Sequence, residues 1–307
     1  MVKCLVTGGT GFVGGAVIDQ LVLQGFEVTN FDICKPCQQH TSSRVRYIVG
    51  DVRDEGAILE EIRSVDWVFH LAGVLGTHEL FDRARLAIDT NIVGTLNVLE
   101  AIKRYNRNTR LFIPAKPNEW NNVYSVTSAA VEKLTLSYAE TYGLDTRILR
   151  LWNLYGPGQS ISPVRKMVPT FFAQAIIGNP IEIFGDGDEE VRLIYIEDAA
   201  KTILSTMFSN LPKTPLEISA STKLTVSDVA KKILSVTKSN AAIENIKMRR
   251  GEQSGMYFSS LPAVEGFINN NFYTSINEGI EKSYEWYSNI SFNELKIELK
   301  KISMDLK

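Results

Sequence analysis

Gly8, Gly11 and Gly14 punctuate the segment Val6-Thr7-Gly8-Gly9-Thr10-Gly11-Phe12-Val13-Gly14, which follows an apolar run and opens an amphipathic one. Strand, glycine turn and helix in that order form a cradle for a pyrophosphate. Gly8 permits the tight turn, Gly11 lets backbone approach the phosphates, and Gly14 lets the helix pack on the strand. Phe12 and Val13 begin the helix, whose unpaired N–H groups and positive dipole end face the anion. The next apolar run closes on Asp32, in Phe31-Asp32-Ile33. A carboxylate there binds both hydroxyls of an adenosine ribose and repels a 2′-phosphate, so NAD is expected rather than NADP. A second cluster, Cys34-Lys35-Pro36-Cys37 with His40, lacks the second cysteine pair that a structural zinc needs. No metal is expected. A transient thiol pair in a surface loop is the better reading, and Cys4 reads as a small buried hydrophobe.

The elements that must position these residues follow from the apolar pattern. Cys4–Thr7, Val28–Ile33, Val45–Val49, Trp67–Leu71 and Leu111–Ile113 read as buried strands. Val13–Leu23, Glu55–Arg63 and Ala87–Tyr105 read as helices between them. Alternation of this kind predicts an α/β fold, a Rossmann-type doubly wound parallel sheet with right-handed crossovers. After Gly156-Pro157-Gly158 the elements shorten, and Gly and Pro cluster at Gly178-Asn179-Pro180 and Gly185-Asp186-Gly187. The expected organisation is a dinucleotide-binding lobe over 1–155 that regains part of 190–215, and a smaller C-terminal substrate lobe over 156–307. Phe292–Lys307 reads as a solvated amphipathic helix. Leu75-Gly76-Thr77-His78 follows the fourth strand at the carboxyl edge, where ligands bind in such sheets. Thr77 is therefore a candidate ligand contact, and His78 reads as a solvated loop residue.

The chain has 307 residues, 44% of them hydrophobic, which excludes disorder. Lys plus Arg is 33 against 35 Asp plus Glu, so no basic field exists for nucleic acid or an anionic membrane. No apolar run approaches the ~20 residues of a membrane span. Three cysteines are no disulfide framework, and no signal pattern precedes the first strand. A soluble cytoplasmic protein is expected.

Further segments resemble the extended short-chain dehydrogenase/reductases that act as nucleotide-sugar epimerases and dehydratases. Gly50-Asp51-Val52-Arg53-Asp54, Val68-Phe69-His70-Leu71-Ala72-Gly73, Asn91-Ile92-Val93-Gly94-Thr95-Leu96-Asn97, Trp152-Asn153-Leu154-Tyr155-Gly156-Pro157, Val191-Arg192-Leu193-Ile194-Tyr195 and Arg249-Arg250-Gly251-Glu252 follow in family order. The resemblance implies that Asp51 and Val52 contact adenine. It also implies that Leu71, Ala72, Gly73 and Asn91 line the cofactor, and that Asn153, Arg192 and Arg249 hold the substrate diphosphate or its sugar. A homodimer through the 87–105 helix and the next one is expected by the same analogy. A weaker resemblance, in the stretch from Lys116 to Tyr124, is to GDP-heptose 4-dehydrogenases of capsule biosynthesis, which points to a GDP-sugar.

The family uses a Tyr and a Lys four residues later, the Lys ammonium lowering the Tyr pKa so that the phenol can serve as base. Tyr124 matches, and it also lies at the cofactor. The Lys position is Ser128. An unperturbed Tyr titrates near 10, so phenolate at neutrality costs roughly 4 kcal/mol, which Ser128 cannot offset by charge. Lys116 stands about where the family places its catalytic Ser or Thr. It is either a replacement cation from the opposite wall or a solvated loop lysine beside two prolines. Family 4,6-dehydratases carry an Asp-Glu pair at this point, and Ala115-Lys116-Pro117 has none. Glu119, the one nearby carboxylate, reads as a solvated loop residue. The resemblance therefore implies hydride transfer at sugar carbon 4 by a dehydrogenase or epimerase. The alternatives are a 4-ketosugar reductase and a non-catalytic binder of NAD and a nucleotide-diphosphate sugar.

Overall fold

Strict alternation along the strands decides which residues face which layer. Cys4, Val6, Phe69 and Phe112 bury into one core, while their neighbours Leu5, Val68, Leu111 and Ile113 bury into another. A sheet apolar on both faces must be covered on both. The computed structural model describes residues 2–35, 43–116, 120–218, 223–252, 261–268 and 273–304. Cys37, His40, Pro117 and Glu119 lie outside the described residues. The first half runs β1 (Lys3–Thr7), α1 (Phe12–Leu23), β2 (Glu27–Asp32), β3 (Val45–Val49), α2 (Glu55–Ile62), β4 (Trp67–His70), α3 (Ala84–Ala87), α4 (Gly94–Tyr105), β5 (Arg110–Ala115), α5 (Val123–Tyr142) and β6 (Asp145–Arg150). The second half runs β7 (Asn153–Tyr155), α6 (Met167–Ile177), β8 (Ile181–Phe184), β9 (Glu190–Val191), β10 (Leu193–Tyr195), α7 (Ile196–Phe208), β11 (Leu216–Glu217), β12 (Leu224–Thr225), α8 (Val226–Thr237), β13 (Ile243–Ile246), α9 (Ile276–Tyr287) and α10 (Phe292–Met304).

Seven strands form one parallel sheet in the order β11-β6-β5-β4-β1-β2-β3. This is the Rossmann-type fold. The order reverses between β1 and β4, and the loops leaving those two strands diverge to open a crevice. α1 and α7 pack against each other on one face, and α2, α4 and α5 cover the other. The second core gathers Phe171, Phe172, Val229, Ile233, Tyr287, Leu295 and Leu299 from α6, α8, α9 and α10. Ile194, Ala199, Ile203, Met207 and Leu216 do not join it but return to the core under β1. α10 is amphipathic as expected, and it buries Leu295 and Ile302. Among the described residues no helix is long and apolar enough to cross a membrane.

Beyond shifts of a residue at strand and helix ends, two elements depart from the sequence reading. The helix expected over Ala87–Tyr105 is interrupted by a π-helical turn over Ile88–Val93. The wider turn carries Asn91, which is buried and bonds outside the helix. β5 runs through Pro114 to Ala115 instead of stopping at Ile113. Pairing with β4 ends at Phe112, so Pro114 is beyond the end of its neighbour and its missing N–H deprives no partner there.

Candidate functional site

Gly8 adopts φ +72°, and a Cβ on it would fall 2.7 Å from the Ala72 nitrogen. The turns after β1 and β4 therefore touch at a position only glycine can fill. A Cβ on Gly14 would strike the Gly8 carbonyl oxygen and Gly9 Cα, so α1 packs on the turn itself rather than on the strand. Gly9, which the spacing argument passed over, is pressed against Asn30 and Ile18 in the same way. Gly11 caps α1 without a side-chain bond, and the first turn holds no acidic residue. Among the described residues no side chain claims the opening amides at Phe12 and Val13, and the cradle fits a pyrophosphate. Asp32 accepts from Thr10 N at 3.0 Å and Cys34 N at 2.9 Å, pinning the glycine turn to the end of β2. Asp51 is gripped by Arg53, whose Nε lies 2.9 and 3.0 Å from its two oxygens; that guanidinium holds the carboxyl below its usual range. Val52 is buried under Gly94, and its carbonyl accepts from Asn97 Nδ2 at 2.9 Å.

A chain of hydrogen bonds links this crevice to α5. Thr7 Oγ1 accepts from Leu71 N and Ala72 N, both at 3.2 Å, and its own proton goes to His70 Nδ1 at 2.8 Å. Thr95 Oγ1 donates to Asn91 O at 2.6 Å, so it must accept from His70 Nε2–H at 3.1 Å. The network assigns a neutral Nε2–H tautomer, and burial pushes the imidazole down to about 4. Asn91 Oδ1 accepts from Val74 N at 2.8 Å, and its Nδ2 donates to Val74 O at 2.9 Å and Thr127 Oγ1 at 3.1 Å. Thr127 in turn donates to the Tyr124 carbonyl at 3.1 Å. Gly73 remains exposed at the edge of this network. Sequence reasoning named Asn91 and Leu71 but passed over Thr7, His70 and Thr95. The readable signal was a histidine closing an otherwise apolar strand.

α5 begins where Asn122 Oδ1 accepts from Ser125 N at 2.9 Å, while Asn122 Nδ2 ties the Gly251 carbonyl at 3.0 Å. This cap orients Tyr124 in the first turn. Burial raises the Tyr124 phenol above its ordinary value. Lys116 is half-buried rather than solvated. Its Nζ lies 4.9 Å from the Tyr124 ring centroid, 5.1 Å from that of Trp120, and donates to Ser125 Oγ at 3.0 Å. Burial, then the neighbouring Lys166 charge, push its ammonium down to about 8. Ser128 Oγ accepts from the Lys116 backbone N at 3.1 Å, so it fixes the strand end that carries the lysine.

The residues expected at the substrate fall into two groups. Thr77 donates to Glu252 Oε1 at 2.8 Å. Arg249 joins Glu252 and, at 3.3 Å, Glu79. Glu79 also accepts from Arg165 N at 3.1 Å. Arg249 is therefore the arginine turned into this cluster, and exposed Arg250 stacks on Phe81 at 4.4 Å. Asn153 and Arg192 meet where β7 pairs with β10, Asn153 N donating to Arg192 O at 3.3 Å. Arg192 lies 5.1 Å over Trp152 and 3.5 Å from Glu217. His78 is half-buried, against its reading as a solvated residue. Glu79, Arg165 and Lys166 carried no sequence signal, whereas Glu252 stood in the Arg-Arg-Gly-Glu segment. Among the described residues no group of three or more His, Cys, Asp or Glu could hold a metal ion.

The family model described as "NAD dependent epimerase/dehydratase family" matches residues 4–213. The chain is 25% identical to a UDP-N-acetyl-alpha-D-glucosaminuronate decarboxylase of Bacillus cytotoxicus, covering 94% of this chain and 98% of the relative. It is 24% identical to a CDP-paratose 2-epimerase of Salmonella typhi, covering 94% and 100%. Among solved structures, a UDP-glucose 4-epimerase from Thermotoga maritima crystallised with UDP-glucose superposes with a TM-score of 0.86 at 22% identity, covering 94% of this chain and 99% of that one. The Bordetella bronchiseptica enzyme WbmF, crystallised with NAD+ and UDP, gives a TM-score of 0.86 at 22% identity, covering 99% and 97%. With the glycine cradle and two thirds of its length matched, the chain belongs to the NAD-dependent epimerase/dehydratase family, whose cofactor is NAD.

Proposed function

We propose that the protein moves a hydride to and from carbon 4 of a nucleotide-diphosphate sugar, as a 4-epimerase or 4-dehydrogenase. Bound NAD supplies the hydride acceptor. The chain supplies the rest: the glycine turn and the α1 amides hold the pyrophosphate, and Asp32 holds the adenosine ribose. Tyr124 takes the proton of the sugar hydroxyl. What supports this reading is the Lys116 ammonium 4.9 Å from the Tyr124 ring. A cation that near favours the phenolate electrostatically, against the burial that raises the Tyr124 phenol. Lys116 can thus supply from the end of β5 the cation that Ser128 cannot.

In the opposite direction the same residues reduce a 4-ketosugar. Dehydration is disfavoured because Ala115 and Lys116 stand where an acidic pair would be needed. The same reading pairs two copies through α5 and the turn before α4, where Val93, Val126 and Tyr142 stay exposed. The test is absorbance in the reduced-cofactor band on adding a panel of nucleotide sugars, GDP-sugars included. Reduction with one sugar, lost at least 100-fold in Lys116→Ala at undiminished NAD affinity, is expected. Silence across the panel, with no 4-epimer of any sugar formed, would leave a binder in place of an enzyme, and unchanged kinetics in Lys116→Ala would remove that lysine from the mechanism.

A further inference from the structure

Lys116 is held at both ends by one helix. Its backbone N donates to Ser128 Oγ at 3.1 Å, and its Nζ donates to Ser125 Oγ at 3.0 Å. Residues three apart on a helix share a face, so α5 turns both hydroxyls toward the end of β5. The lysine therefore lies along the opening turn of α5, its two polar ends bonded and its stem between them. Two ring faces complete the surroundings of the ammonium, Tyr124 at 4.9 Å and Trp120 at 5.1 Å from their centroids. Among the described residues Ser125 Oγ is its one hydrogen-bond acceptor, and no carboxylate bonds it. The charges that act on it from other elements are Lys166, at the cap of α6, and Glu252, which is committed to Arg249 and Thr77. Tyr124 is the titratable group it packs on. Ser125 is buried, and its amide already has Asn122 Oδ1 at 2.9 Å, so the cap of α5 does not use the Ser125 hydroxyl.

We propose that Ser125 is a positioning residue for the hydride transfer: its hydroxyl holds the Lys116 ammonium against the Tyr124 ring, while Ser128 anchors the backbone of the same lysine. The proposal rests on the reading of Lys116 as the cation that serves Tyr124. The helix that carries the tyrosine then also carries the seat of the cation, so phenol and ammonium keep their spacing. Ser128, at the position where a lysine is expected, keeps the charge in place without bearing it. A half-buried ammonium stripped of its acceptor holds its proton less well, so the Ser125 hydroxyl also extends the pH range over which Lys116 is charged.

The test uses NAD-loaded protein and reads Lys116 in two ways. Acylation by acetic anhydride across the neutral to alkaline range, followed by peptide mass spectrometry, gives the midpoint at which the amine becomes nucleophilic. The alkaline limb of kcat/KM, for whichever nucleotide sugar is turned over, gives the midpoint at which the charge is lost. NAD titration checks that each variant folds. In Ser125→Ala both midpoints should fall by about one unit or more from the wild-type value of about 8, with kcat lowered and KM little changed. Ser125→Thr keeps the hydroxyl and should keep both midpoints near wild type. Ser128→Ala frees only the backbone, so it should lower kcat and leave the midpoints in place. Midpoints unmoved in Ser125→Ala, or moved as far in Ser128→Ala, overturn the inference. A labelling shift in Ser125→Ala with no sugar turned over by the wild type defeats the carbon-4 reading and leaves the seat of Lys116 standing.

Discussion

Acid should loosen this fold through the His70 ring. The residue is 3% exposed, and burial pushes it down to about 4. Against an unfolded value near 6.5 the gap is about 2.5 units, each about 1.4 kcal/mol, or about 3.5 kcal/mol in all. Between those two values the unfolded chain binds a proton that the folded one refuses. The contribution is therefore complete above pH 6.5, falls by about 1.4 kcal/mol per unit as pH drops, and is gone near pH 4. Urea unfolding followed by tryptophan fluorescence from pH 7.5 to 4.5 measures this, with His70→Asn as the non-titrating partner. Other carboxylates titrate alike in both proteins and cancel in the difference. At pH 7.5 the variant should be less stable by about 1–3 kcal/mol, because the Thr7 and Thr95 hydroxyls lose a partner. That gap should close as pH falls. Parallel stability curves would refute the reasoning, since they would mean the imidazole titrates freely in the folded protein.

Gly8→Ala should abolish measurable NAD binding and lower the melting temperature. The φ of +72° costs about 1–2 kcal/mol for an alanine, and its methyl meets the Ala72 nitrogen at 2.7 Å. Calorimetric titration with NAD checks it, and wild-type affinity would contradict it. Asp32→Ala frees Thr10 N and Cys34 N and removes the ribose acceptor. NAD affinity should fall at least tenfold and discrimination against NADP should shrink; an unchanged affinity ratio would count against the assignment. Lys116 is charged only below about 8, so kcat/KM should decline as pH rises through that value. Lys116→Arg keeps its charge and should move the alkaline limb beyond pH 10, whereas an unmoved limb would assign it to another group.

The sheet was legible because its strands are apolar on both faces and its first turn obeys a glycine spacing with a physical cause. Asp32 was legible as the polar residue closing β2, and Asp32 rather than Ile33 ends that strand because both carboxylate oxygens are taken by backbone amides. The π-helical turn was not legible. A helix widened by one residue keeps its apolar stripe, and only the outward bonding of Asn91 to Val74 and Thr127 betrays it. Lys116 was half-legible: its position was visible, but its burial depends on Trp120, Tyr124 and Ser125 folding around it. The matched arginines were visible only as cations. Glu252 stood beside Arg249 in the sequence, but Glu79 and Glu217 come from other elements of the chain, which no local pattern can foretell.

The return of α7 and β11 to the first lobe sets a rule for how the chain can be cut and in what sequence it can be built. A fragment ending at residue 155 would leave β6 as a bare edge and strip α1 of Ala199, Ile203 and Met207. The seven-stranded sheet thus cannot be excised as a contiguous piece. A growing polypeptide leaving the ribosome cannot finish it until residue 217 has emerged, after α6 and β8 of the other lobe already have.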